Sequence, residues 1–160
     1  MVAPPPLFGG ASAEAPSTPA QVEPEPIPEV PPPPQPLDLA AARLALGLRE
    51  NAALGDIAGV LARQPGMSAC LLTVRHESAE AGGLPEGFSA EPVRALAGRL
   101  RPALLDDAVD AQHLTVFTGH GCISVFAQGG ATLCAIHATR AFLPGVREKF
   151  AAAAGALAGA

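Results

Sequence analysis

The sequence predicts an α/β fold: helices covering both faces of one sheet, in the order helix, two strands, helix, three strands, helix. Three observations predict it. First, "HLTVFT", "CISVFAQ" and "ATLCAIHA" alternate at a period of two, and only Gly119-His120-Gly121 and Gly129-Gly130 separate them. The paired glycines are a two-residue hairpin signal, because both accept positive φ. Second, both faces of these strands are apolar, since Ile123 and Val125 point one way while Cys122 and Phe126 point the other. Third, helical segments lie before, between and after the strands, so the first and last can cover one face and the middle one the other.

Each element follows a local signal. "PLDLAAARLALGLRE" offers Asp38 as an N-cap and scattered leucines, and Gly47 weakens it. "GDIAGVLARQPG" is read as a helix capped by Asp56, with Ile57, Val60 and Leu61 on one face and a stop at Pro65-Gly66. "MSACLLTVRH" is an almost continuously apolar strand, the mark of a central position. "ESAEAGGLPEG" contains a short edge strand. Ser89 caps "AEPVRALAGRLRPALLDDAVDA", whose Val93, Leu96, Ala97, Leu100 and Leu104 share a face, and Pro102 should kink it about one turn after Gly98. His113 to Thr118 then opens the three-strand block at a sheet edge. The chain closes with a helix in "FLPGVREKFAAAAGALAGA", where Pro144 suits the first helical position and Val146, Phe150, Ala153, Ala154 and Leu157 share one face.

Composition separates a leader from this domain. Thirteen of the 18 prolines precede Leu37, with almost no large apolar residue among them. Such a segment buries too little surface to offset its ordering entropy, so residues 1–36 are expected to be a disordered, partly polyproline II leader and residues 37–160 the folded domain. Of 15 acids and 10 bases, the five acids ahead of Arg43 account for the net charge of −5, and the remainder is formally neutral. Neutrality, 4% aromatics and the absence of Trp and Tyr exclude the basic stripe and stacking platform of a nucleic-acid binder. No basic-then-apolar signal peptide and no apolar run of about 18 residues is present, so membrane insertion is not expected and the expected location is cytoplasmic. Three cysteines, all in predicted strands, agree with reduced buried thiols.

Two phrases carry a family resemblance: "ARQPGMSACLL" at the first helix-to-strand corner and "LCAIHATRAFLPGVREKF" at the last strand-to-helix corner. The chain resembles the roadblock/LC7 family of small profilin-like α/β domains. The second phrase is similar to a bacterial subgroup in which the domain ends the chain behind a Pro-rich leader. The resemblance spans Leu37 onward and implies a single domain with a five-stranded antiparallel sheet between helices, in the order α-β-β-α-β-β-β-α. It also implies homodimers or heterodimers of such domains, and platforms that bind or regulate small Ras-like GTPases. The sequence departs from the family in its Gly/Ala/Glu-rich second strand and in Pro102, which interrupts the helix that these domains use in pairing.

No constellation in the sequence carries chemistry. Cys134 and His137 form a C-x-x-H, but strand positions three apart face opposite ways and cannot share an ion. His120 and Cys122 form an H-x-C with no further ligand, and the histidines are expected at the surface. A thiol nucleophile lacks an acid to orient its base anywhere in the three-strand block. Asp106, Asp107 and Asp110 lack the ligand ladder of an EF-hand, and "TGHGC" joins two strands rather than opening a helix. No catalytic residue, metal or cofactor is expected.

Two functions remain. One is a non-enzymatic interaction and dimerisation module; the alternative is a profilin/PAS-like domain that senses a small molecule between sheet and helix, which needs convergent polar groups in an apolar pocket. For the first, the expected dimer interface is the middle helix and the strand after it: Arg94, Ala95, Gly98, Arg101, Pro102 and Leu105 with Leu114 and Val116. The helix face is mostly small, and the strand has no proline, lysine or inward charge to block edge pairing.

Overall fold

The protein is described by a computed structural model covering residues 9–10, 16–17, 33, 35–106 and 112–160. Its compact unit runs from Gln35 to Ala160. Most of the expected leader, and the end of the middle helical segment with Asp107 and Asp110, lie outside the described residues.

Among the described residues, four helices and five strands follow one another: α1 (Ala40–Leu46), α2 (Leu54–Ala62), β1 (Met67–Val74), β2 (Glu77–Gly82), α3 (Ala90–Leu104), β3 (Leu114–Thr118), β4 (Gly121–Gln128), β5 (Ala131–His137) and α4 (Val146–Leu157). Both helical segments read ahead of the first strand are present, as α1 and α2, so the order carries one helix more than the α-β-β-α-β-β-β-α that the resemblance implies. Gly47 takes φ 65° and its N–H turns back to Arg43 and Leu44, so it ends α1 instead of weakening a helix that runs on to Glu50.

Helix starts differ from expectation for reasons of local geometry. Asp56 is the third residue of α2, not its cap; its carboxylate accepts from the Ala53 N–H at 2.7 Å, which satisfies the chain ahead of the helix. Asp38 accepts from the Ala40 N–H at 3.1 Å, while Leu39 holds the capping position. Ser89 is the N-cap of α3, but its side chain makes no capping bond. Pro144 lies outside α4. With Gly145 at φ 81° and ψ −15°, and Val146 N–H donating to Leu143 O at 3.1 Å, Pro-Gly forms the centre of a type II turn that aims the helix. Pro102 lies inside α3, two residues before its end.

The strands form one antiparallel sheet in the order β2-β1-β5-β4-β3. β1 is interior, as its continuous apolar run requires, and Arg75-His76 are a turn rather than its end. Alternation sends Cys70, Leu72, Val74, Phe126, Leu133 and Ala135 to one face, under α1, α2 and α4. It sends Ala69, Leu71, Ile123, Val125, Cys134 and Ile136 to the other, under α3. The five residues expected on one face of α4 are all buried. The five-stranded antiparallel sheet lies between helices, as the family resemblance implies.

Candidate functional site

The two edges of the sheet differ in chemistry. β2 carries Glu77 and Glu80 and ends at Gly82. β3 carries Leu114, Thr115, Val116, Phe117 and Thr118, uncharged throughout, and Phe117 is 61% exposed. An edge strand without charge, proline or bulge leaves its outer N–H and C=O groups open to pairing.

The structure divides the residues expected at the interface. At 100° per residue, Arg94, Gly98 and Arg101 lie on one flank of α3 and Leu96 and Leu100 on the other. The first flank overhangs β1, β2 and β5, for Arg94, Gly98 and Arg101 line a groove with Leu71, Thr73, Ser78, Thr132 and Cys134. The second flank therefore faces β3, whose Leu114 joins the same cluster as Leu96 and Leu100. Ala95, Pro102 and Leu105 are exposed, and Leu114 and Val116 are half-buried. Leu96 and Leu100 belong to the apolar stripe of α3 but are only half-buried. They form an apolar margin beside β3 that the sequence hides by counting them as core.

Within the groove, Arg94 Nη2 binds Glu80 Oε2 at 2.9 Å and Arg101 Nη2 donates to Gly129 O. The Nε atoms of both arginines are buried and have no acceptor among the described residues. A buried donor without a partner is unfavourable by about 1–3 kcal/mol, more when charged. The positive charge of Arg94 reaches the groove floor, where it pulls the Cys134 thiol down against the larger effect of burial; the thiol still rises to about 12.

A second polar feature lies inside the other core. Thr115 Oγ1 and Ser124 Oγ are 2.7 Å apart, Ser124 Oγ and His137 Nε2 2.9 Å, and His137 Nδ1 and Thr139 O 2.6 Å. A carbonyl only accepts, so Nδ1 carries the proton, Ser124 donates to Nε2, and Thr115 donates to Ser124. A serine donating to an oriented imidazole has the hydrogen-bond pattern of an activated nucleophile. Here Ser124 and His137 are buried at 0% and 1% exposure, so the pair is closed to a substrate and serves the core. His137 is thus not the surface imidazole expected; Phe142 packs against it at 4.6 Å between ring centres. The signal was a histidine whose strand position falls on an apolar face. His120 and His76 are exposed.

Cys134 and His137 do face opposite ways: Cys134 joins the α3 side, and His137 meets Phe142 on the α4 side. Among the described residues, no three His, Cys, Asp or Glu side chains converge on one point. All three thiols are buried, and burial also raises Cys70. They should resist alkylation in the native protein and react once it is denatured, as mass spectrometry of labelled peptides would show; rapid native labelling of Cys122 or Cys134 would contradict this.

Burial lowers the pKa of His137 below its ordinary 6.5, partly offset by its bond to Thr139. His113, stacked on Phe126, is lowered by burial and then by Arg147 and His137. For a base with a lowered folded-state pKa, the unfolded chain takes up protons first as pH falls, so stability drops below about 6.5. The thermal midpoint is expected to be level above about pH 7 and to fall toward pH 5, above the range where carboxylates titrate. His137→Gln should reduce that slope, and an unchanged slope would show that His137 does not cause it.

No protein-family model and no curated protein matches the chain. Among solved structures, it is similar to the Roadblock/LC7 domain from Streptomyces avermitilis, with 19% identity, 61% of this chain and 87% of the other covered, and a TM-score of 0.46. It is also similar to Myxococcus xanthus MglB, with 15% identity, coverage of 69% and 95%, and a TM-score of 0.46.

Proposed function

We propose that the domain is a non-enzymatic, cytoplasmic dimerisation module that pairs along β3 with a second copy or with a related domain. The observation that carries this reading is the uncharged β3 edge, with Phe117 exposed on its α4 side and the apolar margin of Leu96 and Leu100 on its α3 side. An isologous pair would add strand to strand and bring two α3 helices together through Leu96, Leu100, Ala95 and Pro102. Leu114 and Val116 lie at its centre, while Arg94, Gly98, Arg101 and Leu105 turn toward the groove. A small Ras-like GTPase is the further partner implied by the sequence resemblance.

The test uses hairpin geometry. Across a two-residue turn, Thr118 and Gly121 form the first hydrogen-bonded pair, so Phe117, opposite Cys122, directs its N–H outward. Phe117→Pro removes that donor and the exposed ring, yet keeps the bonds to β4. Light scattering should give twice the chain mass for wild type and the monomer mass for the variant. An unchanged mass would reject this interface. Gly98→Glu, on the groove flank, should leave the mass as in wild type.

A further inference from the structure

The groove between α3 and the β2-β1-β5 side of the sheet brings together groups that are far apart in the chain. Arg75 comes from the β1–β2 turn, where it adopts φ 53°, a conformation uncommon for a non-glycine residue. Arg94 and Arg101 come from one flank of α3, and Thr73, Ser78 and Thr132 supply hydroxyls from three strands. The floor is apolar, made by Leu71, Ala97 and Cys134, and the groove encloses about 360 Å³, within the range of small-ligand sites. Glu80 is the acid on this face of β2, and it is already paired with Arg94; Glu77, one position out of phase, belongs to the other face. The three arginines are therefore in excess over carboxylate.

The contacts of Arg94 and Arg101 within the protein use one outer nitrogen of each, Nη2. Arg94 Nη2 ties α3 to β2, and Arg101 Nη2 ties it to the β4–β5 turn. Both Nε–H groups are buried beneath the guanidinium groups with no acceptor among the described residues, so a ligand would meet the outer nitrogens. We infer that this groove binds a phosphate-bearing small molecule, its phosphate accepting from Arg75 and from the outer guanidinium nitrogens of Arg94 and Arg101 that line the groove, and its remainder resting on Leu71, Ala97 and Cys134. A phosphate dianion suits the site better than a single carboxylate, because it presents three acceptor oxygens to donors arriving from different elements and balances more than one guanidinium. Among the described residues no aromatic side chain lines the groove, so they offer no platform for base stacking. The ligand is held through its phosphate, whether that phosphate belongs to a soluble metabolite or to a lipid headgroup.

The site is independent of the dimer reading, since it occupies the flank of α3 away from β3. The experiment titrates inorganic phosphate and pyrophosphate into the full chain by calorimetry and thermal shift. It compares wild type, Arg101→Gln, Gly98→Glu and Phe117→Pro. Gly98 is exposed and a Cβ there would meet nothing within 4 Å, so Gly98→Glu keeps the fold and raises helix propensity. Its carboxylate lies three and four residues from Arg101 and Arg94, where it competes for both. Saturable binding is expected, weakened at least tenfold in Arg101→Gln and Gly98→Glu and unchanged in Phe117→Pro. Vesicles of phosphatidylcholine with a phosphoinositide separate the sources: co-sedimentation lost in Gly98→Glu assigns the phosphate to a lipid headgroup, and binding of the soluble anions alone assigns it to a metabolite. Absence of saturable binding by any of these probes overturns the proposal. So does equal binding in wild type and Gly98→Glu, or loss of binding in Phe117→Pro.

Discussion

Phe126→Ala is expected to destabilise the domain by about 3–5 kcal/mol, the range for removing a fully buried ring from a close-packed core. Phe126 projects from β4 into the face covered by α4, with no exposed surface. Its ring stacks on His113 at 5.0 Å and Phe150 at 5.4 Å and meets Phe142 at 5.8 Å. One truncation therefore removes contacts to β4's neighbours, to the turn before α4 and to α4 itself, and three rings cannot all collapse into the space left. Against a total stability of about 5–15 kcal/mol for a domain of this size, the loss lowers the thermal midpoint by roughly 10–25 °C. Phe117→Ala is the matched control. The same residue type, two positions before the turn rather than inside the core, is 61% exposed, and its truncation in the monomer should fall within about 1 kcal/mol. Urea unfolding of both variants decides: a loss below about 1 kcal/mol for Phe126→Ala would mean that the aromatic cluster does not organise this core.

What the sequence made legible was whatever depends on near neighbours. Alternation in β4 and β5 and the spacing of Val146, Phe150, Ala153, Ala154 and Leu157 settle which faces are buried, because a period of two or 3.6 needs no knowledge of the partner. The three-strand block was readable to within a residue for the same reason, since glycine pairs punctuate it. Helix starts were not, because several residues compete for each cap: Asp56 helps α2 from inside, and Pro144-Gly145 makes a turn where Pro alone suggests a first helical residue. The Ser124–His137 pair joins adjacent strands through a register that no local pattern specifies, which is why His137 looked like a surface residue. The groove was least legible. Arg75, Arg94 and Arg101 each read as a solvated charge, and only the crossing of α3 over the sheet, with the turn at Arg75, brings them to one place. The β3-side margin was obscured differently, for Leu96 and Leu100 have the spacing of core residues while lying at the border of the stripe.

Gly129→Ala should destabilise the domain by about 3 kcal/mol or more, and Gly130→Ala by no more than about 1 kcal/mol, although the two glycines are adjacent. The hairpin signal treats them alike, since a type I′ turn needs positive φ at both. In the structure Gly129 has φ 51° and Gly130 has no positive φ, the requirement of a type II′ turn, in which only the first central residue must be glycine. An alanine at 129 meets the left-handed penalty of about 1–2 kcal/mol. Its Cβ would also come to the carbonyl oxygen of Ala158, at the end of α4, far inside contact distance. That carbonyl accepts the Gly130 N–H at 3.1 Å, while Gly129 O accepts from Arg101 on α3. The turn is therefore clamped between helices from both faces of the sheet, and it cannot move away from α4 without disturbing α3. At Gly130 the nearest foreign atom to a Cβ is Arg75 Cγ at 3.6 Å, an ordinary contact, and reduced freedom of the unfolded chain offsets part of any strain. Chemical denaturation of the two variants checks the contrast. Equal losses would show that the hairpin tip is not docked against the end of α4, and the seating of Arg101 at the groove would lose its anchor with it.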